Sequence, residues 1–113
     1  MARTKLLFIC KANVCRSRTA EDLFRDSSQY EVKSAGIRWH KDGGQVIGQG
    51  LINWADRIFV MERWQLEYLS TTFDIEGKII IVLDISDIYG RGDGTLINTL
   101  VLKLGALGIT IED

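Results

Sequence analysis

Four short apolar segments alternate with four segments of helical periodicity, and this alternation constrains the fold more than any other feature. The apolar segments span residues 6–9, 30–35, 58–61 and 79–83, and the helical patterns span 17–26, 45–55, 62–69 and 95–104. Three apolar segments are continuous, which is typical of strands buried on both faces of a parallel sheet, whereas 30–35 alternates and predicts an edge strand. Strand–helix alternation requires crossover connections, so the sequence predicts an α/β fold with parallel strands.

The length and the net charge of the chain limit the classes of protein to which it can belong. A length of 113 residues fits a single domain, residues 1–113. Fourteen basic and fifteen acidic residues give a formal net charge of -1, which argues against a nucleic-acid partner. No apolar run approaches the ~20 residues of a membrane span, and the run after Lys5 is shorter than the ~7–15 residues of a secretory signal. We therefore expect a cytoplasmic protein with no membrane partner.

Reactive side chains follow each predicted strand. Ligands bind at the carboxyl ends of the strands in an open α/β sheet, so these loops are the place to look for chemistry. They are residues 10–17, 34–40, 62–64 and 84–89, and they bring a cysteine, arginines, carboxylates and aromatic rings to one edge. The chain has one histidine and two cysteines, which excludes a site with two histidine ligands and a disulfide scaffold.

The first of these loops predicts a reactive cysteine. Cys10 leaves a strand and Arg16 follows six positions later at the start of a helix. A loop of this length can point its N–H groups inward as an anion nest, and the helix N-terminus adds positive potential. Arg16 could then hold two phosphate oxygens, and Ser17 could donate a hydrogen bond to a Cys10 thiolate. On spacing alone, the alternative is that Cys10 is a small buried side chain and Arg16 a solvated one.

Four segments resemble the low molecular weight protein tyrosine phosphatases. Residues 10–17, followed by Ala20 and Glu21, resemble the active-site loop of that family. Residues 32–36, 55–62 and 83–90 are similar to its second strand, its third strand and its Asp-Pro-Tyr loop. The resemblance extends from about residue 5 to residue 90 and is greatest to a compact bacterial branch.

The resemblance implies a three-layer sandwich with a four-stranded parallel sheet of order 2-1-3-4 and helices on both faces. It implies a phosphocysteine intermediate on Cys10, transition-state stabilisation by Arg16 and the loop amides, and proton transfer by Asp87. The substrate would be a phosphorylated protein or a small aryl phosphate, with phosphate, vanadate or tungstate as inhibitory anions. Neither a metal nor another cofactor would be needed.

The resemblance also assigns further residues. The phosphate-binding loop would comprise Lys11, Ala12, Asn13, Val14, Cys15 and Ser17. Asn13 would hold the shape of this loop, and Trp39 and Tyr89 would flank the substrate ring. Cys15 would either form a protective disulfide with Cys10 or remain a buried thiol.

Several assignments have rivals in the sequence. Asp84 and Asp93 compete with Asp87 for the role of the acid. We interpret His40 as a solvated loop residue, and Trp54 and Trp64 as packing residues.

Two departures from the family pattern bear on function. The chain has no proline, so Arg18 and Ile88 stand where the family usually has Pro after the Arg-Ser pair and after the loop aspartate. The fixed φ of proline would limit where Asp87 points, and its absence leaves that orientation open. A non-catalytic phosphate or phosphoprotein binder is therefore an alternative to a phosphatase. A thiol-dependent arsenate reductase is a weaker one, because no cysteine follows Cys15.

Overall fold

Strands and helices alternate throughout residues 3–111, which are the residues that the computed structural model describes. The strands are β1 (Thr4–Cys10), β2 (Tyr30–Gly36), β3 (Arg57–Val60) and β4 (Ile79–Val82). The helices are α1 (Arg16–Leu23), α2 (Gln49–Trp54), α3 (Arg63–Thr72) and α4 (Gly94–Ala106). Every described helix is too short or too polar to cross a lipid bilayer.

The four strands form one parallel sheet of order β2-β1-β3-β4, which confirms the predicted fold class and strand order. Cys10 at the end of β1 lies opposite Gly36 at the end of β2, and Ile9 lies opposite Val60 of β3. The carboxyl ends of the three strands therefore meet at one edge, where the loops that follow them come together.

Alternating side chains of β1 build two separate cores. Leu6 and Phe8 face one cluster, which is closed by α1 and α4 through residues such as Leu100. Leu7 and Ile9 face the other cluster, which is closed by α2 and α3. The sheet is thus the middle of three layers, and Cys10 lies at the end of the first core.

Two elements differ from the sequence prediction. The helix predicted from residue 45 begins only at Gln49, because Gly36 N–H donates to Gln45 O and Ile47 N–H donates to Gly36 O in a strand-like bridge. The apolar sequence of β4 predicts burial on both faces, but β4 is an outer strand and Ile79 is exposed. Continuous apolar sequence does not distinguish an outer from an inner strand when helices cover the faces of both.

Candidate active site

Cys10 ends β1 and is almost fully buried, with its sulfur held by two neighbours. Asn13 N–H donates to Sγ at 3.2 Å, and Ser17 Oγ lies 3.0 Å from Sγ. Ser17 Oγ also accepts a hydrogen bond from Asn13 Nδ2 at 2.8 Å, so its own proton remains available for the sulfur. Both Asn13 N–H and the Ser17 hydroxyl can therefore donate a hydrogen bond to the sulfur of Cys10.

Asn13 fixes the loop between Cys10 and Arg16. Its φ is 54°, in the left-handed region that Asn tolerates better than most residues. Besides Ser17, its Nδ2 donates to Ser34 Oγ on β2 at 2.9 Å, and its Oδ1 accepts from Gln45 N–H at 3.0 Å. These contacts are the ones expected of a residue that holds the loop in shape, as the resemblance implies.

Gly36 lets the loop approach β2 closely. A Cβ on Gly36 would lie 2.6 Å from Ala12 C and 2.7 Å from Asn13 N, both of them backbone atoms. Real Cβ atoms do not come so near, so any side chain here would push the loop away from the strand. Gly50 in α2 provides a contrast, because a Cβ added there would meet open space, with nothing within 4 Å.

Gly36→Ala is expected to lower the free energy of unfolding by about 1–3 kcal/mol and to weaken the binding of phosphate, the anion expected from the sequence, because the loop must move away from β2. Gly50→Ala is the control and should raise the stability by up to about 1 kcal/mol, since alanine favours an open helical position. Thermal unfolding and calorimetric titration with phosphate measure both effects. Phosphate affinity unchanged in Gly36→Ala would contradict the close approach of the loop.

Arg16 begins α1 and is buried, yet one of its nitrogens has no partner among the described residues. Nη1 donates to Glu62 Oε2 at 2.9 Å and to Ile85 O at 2.7 Å. Nε lies 3.6 Å from Asp87 Oδ1, and Nη2 is the buried nitrogen without a hydrogen bond. An unpaired buried donor is costly, so the Nε–Nη2 edge of the guanidinium is suited to receive two oxygens of an anion.

A cavity of about 310 Å³ joins these groups. Its lining consists of Cys10, Lys11, Ala12, Val14, Cys15, Arg16, His40 and Asp87. Within residues 3–111, the backbone N–H groups of Lys11, Ala12, Val14 and Cys15 donate no hydrogen bond, as an anion nest requires. The structure therefore brings the predicted thiol, arginine and carboxylate together around one cavity.

Of the three candidate acids, only Asp87 lies in this cavity. Asp84 has a φ of 58°, is exposed, and its carbonyl accepts a hydrogen bond from Lys103 Nζ. Asp93 caps α4 by accepting from Thr95 N–H and Leu96 N–H. Both rivals thus have local structural roles away from Cys10, while Asp87 is half-exposed and paired with Arg16.

Neither of the two aromatic residues expected to flank a substrate ring, Trp39 and Tyr89, lines the cavity. Tyr89 is half-buried and packs against the first core, so it does not line the cavity. Trp39 is exposed in a neighbouring recess, which shares Ala12 and His40 with the cavity, and its contact with a substrate ring stays a prediction. The packing role predicted for Trp54 agrees with the structure, in which it packs under Lys33 with Nζ 4.5 Å from the ring.

Several residues of the cavity wall were not predicted from the sequence. His40, interpreted as a solvated loop residue, lines the cavity itself. Trp64 packs against the second core, as the sequence predicts, and it also lines an adjoining recess with Arg38 and Glu62, where its Nε1 donates to Glu62 Oε2 at 3.2 Å. Glu62 and Gln65 form a capping box at the start of α3, a pattern that marks the beginning of the helix but not the contact of Glu62 with Arg16.

Cys15 also lines the cavity, and both cysteines are free thiols. Its carbonyl accepts hydrogen bonds from the backbone and the hydroxyl of Thr19, in the first turn of α1. The protective disulfide with Cys10 stays a prediction. Among residues 3–111, no three His, Cys, Asp or Glu side chains are grouped to hold a metal ion.

A family model matches the part of the chain that carries this loop. Residues 5–49 match the family described as low molecular weight phosphotyrosine protein phosphatase. No curated protein shows significant similarity to the sequence. The match covers β1, the loop with Cys10 and Arg16, α1 and β2.

Solved structures share the fold of nearly the whole chain. The tyrosine phosphatase Wzb from Escherichia coli K30, in complex with phosphate, has a TM-score of 0.73 at 22% identity, over 94% of this chain and 96% of that one. Wzb from Vibrio vulnificus, in complex with benzylphosphonate, has a TM-score of 0.68 at 22% identity, over 95% and 96%. The YwlE arginine phosphatase from Geobacillus stearothermophilus has a TM-score of 0.66 at 21% identity, over 92% and 94%.

Proposed function

We propose that this protein, whose residues 5–49 match the low molecular weight phosphotyrosine protein phosphatase family and whose fold is that of solved phosphatases, is a cysteine-dependent phosphomonoester hydrolase. Its substrates are phosphotyrosine side chains or small aryl phosphates. One observation carries the proposal: a buried Cys10 shares a cavity with unpaired N–H donors of the loop and of Arg16 among the described residues.

The first step transfers the phosphoryl group to the enzyme. The phosphate oxygens sit on the loop amides and on the Nε–Nη2 edge of Arg16, which orients phosphorus toward Cys10 Sγ. The thiolate forms the S–P bond while the P–O bond to the aryl group breaks. Asp87 gives its proton to the departing phenolate, so phenol leaves and a phosphocysteine remains.

The second step regenerates the Cys10 thiolate. The Asp87 carboxylate takes a proton from a water molecule as that water attacks phosphorus. The P–O bond forms, the S–P bond breaks, and the electron pair returns to Cys10 as a thiolate. Asn13 N–H and the Ser17 hydroxyl stabilise this leaving thiolate, and inorganic phosphate departs.

Positive charge at the reacting centre comes from the chain itself. Arg16 is fixed by Glu62 and by the Ile85 carbonyl, so its guanidinium needs little reorganisation when charge develops on the phosphoryl oxygens. The phosphate held by Wzb of E. coli and the benzylphosphonate held by Wzb of V. vulnificus support an anion with an attached ring as the ligand.

The proposal predicts aryl phosphatase activity that survives metal removal. The protein, treated with EDTA and exchanged into metal-free buffer, should hydrolyse p-nitrophenyl phosphate and a phosphotyrosine peptide, and vanadate should inhibit competitively. Steady-state kinetics before and after the treatment test this. Tight tungstate binding with turnover at background would instead identify a non-catalytic phosphate binder.

A further inference from the structure

The loop that carries Asp87 has little to hold it in place. We call residues 84–93, between β4 and α4, the acid loop. Among the described residues, no hydrogen bond joins the backbone of Ser86–Tyr89 to another element, and Ile88 is exposed. Gly90 and Gly92 follow, and a Cβ added to either glycine would have no neighbouring atom within 4 Å. Apart from the contact of Asp87 with Arg16 and the packing of Tyr89 against the first core, the position of Asp87 therefore depends on the attachments at the two ends of the loop.

The first attachment involves Ile85. Its N–H donates to Met61 O at 2.8 Å, and its carbonyl accepts from Arg16 Nη1 at 2.7 Å. Ile85 is buried in the first core. This end of the acid loop is thus joined to the end of β3 and to the catalytic arginine.

The second attachment involves Arg91. Its Nε donates to Asp22 Oδ2 and its Nη2 donates to Asp22 Oδ1, both at 2.9 Å, in a bidentate pair. Next to it, Gly92 N–H donates to Thr19 Oγ1 at 3.0 Å. Thr19 and Asp22 are three residues apart, on one face of α1. The helix that begins with Arg16 therefore also holds the far end of the acid loop.

We propose that Arg91 is a positioning residue: by gripping Asp22 it fixes the acid loop on α1 and so holds Asp87 beside Arg16. The inference rests on the proposed function, in which Asp87 transfers the proton. Because both attachments lie on or against the same helix, they fix the distance between the carboxylate and the guanidinium. Arg91 thereby restrains a loop that has no proline behind its acid.

Charge and geometry agree with this role. The hydrogen bonds from Arg91 are the largest cause that lowers the pKa of Asp22, and Asp22 in turn raises the pKa of Arg91. The pair stays ionised at neutral pH. It lies near the surface, where ion pairs contribute little to global stability, so its effect is on the ordering of the loop rather than on unfolding.

Arg25 provides a matched control. Its Nη2 donates to Asp22 Oδ1 at 3.0 Å, but Arg25 lies just beyond α1 and contacts no part of the acid loop among the described hydrogen bonds. Arg25→Ala and Arg91→Ala each remove one guanidinium from the same carboxylate. Only the second removes a contact with the acid loop.

The experiment compares kcat/KM for two aryl phosphates. Phenyl phosphate has a poor leaving group and needs the acid, whereas 2,4-dinitrophenyl phosphate needs it little. We expect Arg91→Ala to lower kcat/KM about tenfold for phenyl phosphate and less than about threefold for the dinitrophenyl ester. Arg91→Lys should restore only part of the loss, because lysine cannot form the bidentate pair. Arg25→Ala should leave both rates near wild type.

A double variant distinguishes a role of Arg91 in positioning Asp87 from a general loosening of the structure around the cavity. In an Asp87→Asn background, Arg91→Ala should cause no further loss. The role of Arg91 would be overturned if Arg91→Ala lowered kcat/KM equally for both esters. It would also be overturned if Arg91→Ala lowered kcat/KM for phenyl phosphate as much in the Asp87→Asn background as it does in the wild-type protein. If Asp87→Asn slows phenyl phosphate and Arg91→Ala does not, only the Arg91 inference fails. If Asp87→Asn itself has no effect, the assigned acid fails and the inference fails with it.

Discussion

Cys10→Ser is expected to lower aryl phosphate turnover by at least about a thousandfold while the anion site survives. In the proposed mechanism the Cys10 thiolate is the nucleophile of the first chemical step and the leaving group of the second, and a neutral serine hydroxyl is a much weaker nucleophile and a poorer leaving group. Asp87 lines the cavity but must carry its proton in the first step, and His40 Nδ1 already accepts a hydrogen bond from Asp42 N–H, so neither side chain activates a serine. Measured kcat/KM for p-nitrophenyl phosphate tests the loss.

Binding measurements on the same variant show whether the loss is chemical. Serine is slightly smaller than cysteine and can accept the hydrogen bond from Asn13 N–H, so Cys10→Ser should fold and bind phosphate or tungstate. Calorimetry and thermal unfolding check both points. Rapid quenching of wild type should trap a phosphorylated peptide containing Cys10, and the variant should give none. A variant that binds phosphate and also turns over at the wild-type rate would disprove the covalent mechanism.

Local patterns in the sequence were enough to predict four parallel strands and the loop at the centre of the site, whereas the strand order came from the family resemblance. Continuous apolar segments marked β1, β3 and β4 as strands without separating the inner from the outer ones, and the alternation at 30–35 marked β2 as an edge. The spacing of Cys10 and Arg16 lies within one loop, whose form depends on nearby residues. Such signals can be read because the residues that interact are also close in sequence.

The cavity wall could not be predicted in the same way, because the sheet brings distant segments together. Glu62 reaches Arg16 only because β3 lies beside β1 and ends at the same edge. Gly36 is restricted by Ala12 and Asn13 because of the register between β1 and β2. Neither contact leaves a local pattern in the sequence.

Tyr89 shows that a residue close to Asp87 in the sequence can still lie outside the cavity. The resemblance implied that Tyr89 flanks the substrate ring, but a short loop can point nearby side chains in different directions. Tyr89 turns toward the first core, where its ring buries apolar surface, while Asp87 points to Arg16. The resemblance therefore identified a carboxylate that lines the cavity, whereas Tyr89 from the same loop does not line it.

The absence of proline is compensated by contacts from outside the acid loop. Asp87 is half-exposed, yet its Oδ1 lies 3.6 Å from Arg16 Nε without a rigid residue at Ile88. When no anion is bound, the Asp87 carboxylate lies at the edge of Arg16 that the substrate phosphate would use, so the two compete for it. Removing the negative charge of Asp87 should therefore favour anion binding while it impairs catalysis.

Asp87→Asn is expected to lower kcat/KM for phenyl phosphate by about a hundredfold or more, because an amide cannot protonate the leaving phenolate. The same variant should bind phosphate at least as tightly as wild type, since it removes a negative charge beside Arg16. Pre-steady-state kinetics and calorimetry on one preparation measure the two effects.

Asp84→Asn is the matched control, since Asn tolerates the φ of 58° at that position and the side chain lies outside the cavity. Its kcat/KM should stay within about twofold of wild type. A large loss in Asp84→Asn with normal rates in Asp87→Asn would reverse the assignment of the acid. A loss in Asp87→Asn that comes with weaker phosphate binding would mean that the carboxylate organises the anion site instead of transferring a proton. Slow turnover with retained or tighter binding is the combination that only a proton donor at Asp87 explains.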